Sequence, residues 1–187
     1  MHAEPRLPME KAQFFKWSER QTRRLELANG RPILPEEHSR AHSAICTKIV
    51  FQLASMLDTR RYSVIGGRFA LETGPRSIRL PDVMVEPYIA DNAISASDAL
   101  LHRRGALALD DACRLSREAR QYKGLAALGS YVVCAQDEAR VWLWTRSNGW
   151  PDAPEVLEGP DAAVAVPVLG ITLPLADIYR NVTVRDE

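Results

Sequence analysis

The 187-residue chain has no apolar run long enough to cross a bilayer, which takes about 20 residues. No basic stretch followed by an apolar one stands near its start, so the sequence predicts a cytoplasmic protein with no membrane partner. An excess of charge is lacking too: 24 basic and 24 acidic residues cancel. That argues against a general electrostatic grip on nucleic acid, though not against a local basic face. Cysteine is scarce. Cys46, Cys113 and Cys134 are too few and too scattered for a zinc cluster or a disulfide framework, and their mostly apolar neighbours predict buried free thiols. Repeats, low-complexity tracts and interdomain linkers are missing as well. What remains is ordinary globular composition, 46% hydrophobic and 26% charged, at a length that suits one domain with a real core. We expect a flexible tail over residues 1–8 and a single domain over 9–187.

Local patterns fill in the elements. "MEKAQFFKWSER" (9–20) suits a short amphipathic helix. In "RLELANGRPI", Asn29-Gly30 between apolar runs predicts a hairpin with a type I′ turn. Leu25 and Leu27 alternate with Glu26 and Ala28, so its first arm should be half buried. Residues 36–58 read as a long helix whose apolar stripe is Ile45, Ile49, Leu53 and Met56, with His42 on the same stripe. Strands are predicted at 62–71, where Gly66-Gly67 suggests a bulge or turn, and at 80–86. Residues 87–104 read as loop with one helical turn, 106–110 as a strand and 112–127 as a helix. "YVVCAQ" and "RVWLWT" form a second hairpin, and "AVAVPVL" and "ITLPLADIY" close the domain. Helices before and after a set of strands point to an α/β or α+β domain built on one sheet.

The segment "RLPDVMV" (79–85) carries the chemical question. Asp82 stands at the mouth of a buried-looking strand, where it either holds a divalent cation or only starts the strand from a Pro-Asp turn, capping nearby N–H groups. Together with Phe15 and Trp17, "RLELANGRPI", His42 followed by Ile45, "RLPDVMVEP", Tyr122, "YVVCAQDEARVWLW" and "VPVLGITLPLADIY", it resembles the Uma-type restriction endonuclease family of the PD-(D/E)xK nuclease superfamily. The resemblance runs over nearly the whole chain. It rests on order and spacing, since no single element is specific.

That resemblance implies a restriction-endonuclease-like core: a mixed central sheet flanked by helices, with N-terminal and C-terminal β-hairpins. It places Asp82 as the first acidic metal ligand of a DNA endonuclease that uses Mg2+ or Mn2+. Phosphodiester hydrolysis needs a Lewis acid, and magnesium takes carboxylate, water and phosphate oxygens. The family's second acid, in Glu-Val-Leu-Ser-Pro-Ser, is not found, and its helical Asp and Lys positions read Arg114 and Glu118. Asp110 or Asp111 could stand in for the missing Glu, with Asp82 and Asp110 catalytic. Arg114 and Glu118 are equally an i,i+4 ion pair on an exposed helix face.

Glu26 sits where the family often has an acid, either near the metal or facing solvent. His42 is either a proton carrier or a hydrogen-bonded core histidine. Arg114, Arg117 and Arg120 recur every three residues and could meet DNA phosphates, as could Arg20, Arg23, Arg24, Arg60, Arg61, Arg103 and Arg104. A solvated charged face is the alternative for all of these. Trp142 and Trp144 share one side of a strand, for base stacking or for the core. Two functions stay open: a metal-dependent endonuclease, with a homodimer favoured for cutting two strands, and a catalytically inactive member serving as a nucleic-acid-binding or protein-interaction module.

Overall fold

The computed structural model describes residues 8–35, 38–67, 69–88, 92–105, 119–147, 149–159 and 161–182. Its first helix, α1 (Lys11–Ser18), opens on a capping box in which the Glu10 and Gln13 side chains satisfy each other's backbone N–H. The hairpin β1 (Glu26–Ala28) and β2 (Arg31–Ile33) follows. Asn29 and Gly30 both take positive φ, 49° and 81°, as a type I′ turn demands. A Cβ on Gly30 would also lie 2.5 Å from that of Pro8.

Helix α2 (Arg40–Met56) begins later than the periodicity suggests because Ser39 caps it. Ile45, Ile49 and Leu53 are buried as expected, but Met56 is exposed and Leu57 takes its place in the core. The expected strand 62–71 splits into β3 (Tyr62–Gly66) and β4 (Ala70–Gly74). Gly67, at φ 91°, turns the chain between them, where a side chain would be strained. Strands β5 (Ser77–Arg79) and β6 (Val83–Pro87) come next. The region read as loop instead holds β7 (Ser95–Ala96) and β8 (Leu101–Gly105). Strand β8 pairs antiparallel with β6 and parallel with β9 (Ser130–Cys134), and these partners override its polar sequence. Residues 106–118, with their expected strand and most of their expected helix, lie outside the described residues; 119–122 are helical.

Strands β10 (Arg140–Thr145) and β11 (Glu155–Glu158) complete a six-stranded mixed sheet of order β11-β10-β9-β8-β6-β3. A five-stranded sheet, β2-β1-β5-β4-β7, stands beside it. A last hairpin, β12 (Ala163–Val166) with β13 (Ile171–Pro174), leads to the helical turn Leu175–Ile178. The architecture is therefore α+β around a mixed central sheet, as the sequence implies.

Both faces of the large sheet are covered. On one, α2 packs Ile45, Ile49 and Leu53 against Val83, Val85, Val132, Val141 and Leu143. On the other, Tyr122 of the 119–122 turn packs with Met84, Tyr131, Trp142 and Trp144. Trp142 and Trp144 thus belong to the core and are closed to nucleic-acid bases. Cys134 is buried and Cys46 half-buried, both free; Cys113 falls outside the described residues. No helix among the described residues is long and apolar enough to cross a membrane.

Candidate metal centre

The start of β6 and the start of α2 meet at one end of the large sheet. Pro81 holds the approach to Asp82, and the segment is tied down from two sides. The buried Glu26 carboxylate takes the N–H of Leu80 at 3.1 Å and Nη1 of Arg79 at 2.8 Å. The carbonyl of Asp82 accepts the N–H of Gly67 at 3.2 Å. Asp82 is thereby fixed in backbone before its side chain makes any contact.

That side chain is 5% exposed and meets two imidazoles. His38 Nε2 lies 3.2 Å and His42 Nε2 3.3 Å from Asp82 Oδ1. The rings stack, centroids 3.8 Å apart and 10° from parallel. Local sequence explains this: His38 and His42 are four residues apart across the first turn of α2. Ser39, between them, accepts the His42 N–H on its Oγ at 3.1 Å and donates its hydroxyl to Gln136 Oε1. Gln136 stands at the end of β9, so the hairpin anchors the helix start. The N-terminal end of α2 also favours a negative group beside it.

His38, His42 and Asp82 each offer one donor atom, and all three atoms lie within 4.8 Å of one another. These three could hold one metal ion. His42 is almost wholly buried and its Nδ1 has no hydrogen-bond partner among the described residues, whereas the His38 side chain is 21% exposed. Asp82 thus presents its carboxylate to two imidazoles.

Other candidates are placed differently. Glu26 is buried, not solvent-facing, and its carboxylate is engaged with Arg79 and Leu80. Arg79 also reaches Gln121 Oε1, linking β5 to the 119–122 turn. Arg120 is exposed. Asp110, Asp111, Arg114 and Arg117 lie outside the described residues. The strands flanking β6 are β3 and β8. In register, Val83 faces Arg103 and Met84 faces His102, so β8 brings Leu-His-Arg-Arg-Gly alongside β6 and no acid. Sequence reasoning missed two residues. His38 was signalled by its four-residue spacing from His42. Glu86, four residues beyond Asp82, is buried with Oε1 unpartnered among the described residues, and burial pushes its carboxyl above the usual range.

No family profile matches the chain, and no curated protein matches it. Among solved structures, it is similar to one described as "a putative nuclease belonging to DUF820" from Anabaena variabilis. The two share 17% identity and superpose with a TM-score of 0.72, covering 92% of this chain and 98% of the other. At that identity the likeness establishes a fold: this chain has a nuclease-like one.

Proposed function

We propose that the protein is a divalent-metal-dependent phosphodiester hydrolase acting on DNA, with its centre at Asp82, as its resemblance to the Uma-type restriction endonucleases implies. The observation that carries this reading is the cluster itself: a fixed, buried carboxylate with two imidazoles at its Oδ1, at one end of a nuclease-like sheet. A divalent cation held there by Asp82, His38 and His42, Mg2+ or Mn2+ in the family's pattern, would supply Lewis acidity and acidify a water. Asp82 contributes the negative charge that binds and orients. His42 is held rigidly by burial and by the Ser39 cap. His38 and His42 each offer Nε2 as a donor to the ion, His38 from the more exposed side. A two-fold dimer would present two such centres to two strands.

The test is nicking of supercoiled plasmid by the full chain with Mn2+ or Mg2+. Nicking that Asp82→Asn abolishes supports the reading. A second reading, an inactive binding or assembly module, is favoured by the acid-free sequence of β8. It gains if no metal supports cleavage while the folded protein still retards DNA in a gel.

A further inference from the structure

We infer that the cation this centre takes is a borderline transition metal of the Zn2+ kind, held by Nε2 of His38, Nε2 of His42 and the Asp82 carboxylate, rather than magnesium. The inference rests on the hydrolytic reading for what the ion does, not for whether it binds.

The donor set decides the class. Magnesium asks for six oxygens in a near-ideal octahedron and gives up its waters reluctantly. Two of the three side chains here offer imidazole nitrogen, which suits Zn, Cu, Fe and Ni, and with one carboxylate leaves positions open for water and substrate. One formal negative charge faces the site among the described residues, half of what paired carboxylates present to a hard cation. Among the described residues no second acid joins these three.

The spacing agrees with the class. Zinc bound to nitrogen and oxygen at about 2.0–2.1 Å in a tetrahedron keeps its donors about 3.3 Å apart. Oδ1 of Asp82 stands 3.2 and 3.3 Å from the two Nε2 atoms. Stacking of the rings turns both nitrogens the same way, toward one carboxylate oxygen. Plain hydrogen bonds from two imidazoles would have similar lengths, and that is the competing explanation. The titration below separates the two, because imidazole–carboxylate hydrogen bonds alone create no stoichiometric metal site.

Isothermal titration of the chelator-stripped full chain with zinc, manganese and magnesium chlorides tests this. One Zn2+ per chain should bind at least about a hundredfold more tightly than Mg2+. His38→Ala, at a partly exposed position ahead of the helix, should weaken zinc binding at least about tenfold, and Asp82→Asn should remove the stoichiometric site. His42→Gln is interpreted only if its circular dichroism spectrum matches the parent's. Magnesium binding as tight as zinc binding overturns the inference, as does zinc affinity unchanged in His38→Ala. Histidine-dependent zinc binding with no plasmid cleavage upholds it and defeats the hydrolase reading. Magnesium-driven cleavage that needs Asp82 but not His38 does the reverse.

Discussion

The imidazoles of His38 and His42 lie face to face, 3.8 Å between centroids, with both Nε2 atoms directed at Asp82 Oδ1. One turn of chain delivers both rings, because His38 precedes the N-cap of α2 and His42 sits in its first turn. The arrangement depends on where the helix starts, and the residue that sets the start is Ser39.

Ser39→Ala should therefore cost about 1 kcal/mol, the usual worth of an N-cap, and more if Gln136 is left without its partner. Urea unfolding reads the loss. Ser39→Thr keeps an acceptor oxygen and should recover most of it. Equal losses in both variants would show that the cap does not fix the helix start.

Glu26 and Arg79 form a buried pair at 2.8 Å, with the Leu80 N–H on the other carboxylate oxygen. Removing one partner strands a buried charge, so Glu26→Ala should destabilise by about 3 kcal/mol or more. Arg79→Met alone should also be costly. The double variant should lose clearly less than the sum, the mark of a direct interaction in a mutant cycle. Strict additivity would mean that the two do not depend on each other.

The Tyr179 hydroxyl lies 2.7 Å from the Arg140 carbonyl oxygen and 3.1 Å from that of Ala135. It thus latches the C-terminal helical turn onto the ends of β9 and β10. Tyr179→Phe keeps the ring and removes this donor, while the Arg140 carbonyl still accepts the Ala135 N–H at 3.0 Å, so the expected cost is about 1 kcal/mol. A chemical denaturation midpoint that does not move would count against the latch.

Glu86 gives a pH signature. Burial raises its folded pKa above the ordinary 4.5, so the folded state holds this proton to higher pH than the unfolded chain. Stability is lost as pH rises from about 4.5 through the folded value, and the full cost is present above it. Glu86→Gln should raise the thermal midpoint at about pH 7 and change it little at about pH 4. A difference between parent and variant that stays constant with pH would remove burial of the charge as the cause.

Patterns tied to local chemistry were legible. Asn29-Gly30 marked the hairpin because only a few residue types accept two positive φ angles, and the continuous apolar runs within 130–145 marked the central strands. Elements decided by their neighbours were not. Strand β8 reads as polar loop, and its place between β6 and β9 comes from pairing with residues far away in sequence. The centre was half legible for the same reason. Asp82 announced itself at a strand mouth, and His42 lay on a helical stripe. Their meeting, and the part of His38 in it, needed the helix to cross the sheet at one particular end. Glu26 alternated with leucines as a solvent-facing residue should, yet an arginine from another strand draws it inward.

The bond from Ser39 to Gln136 joins residues 97 apart in sequence. A ribosome that has released the histidines and the aspartate has still not supplied the glutamine that steadies them, and long-range pairings of this kind close late. A growing polypeptide would thus carry His38, His42 and Asp82 unassembled until most of the domain had emerged.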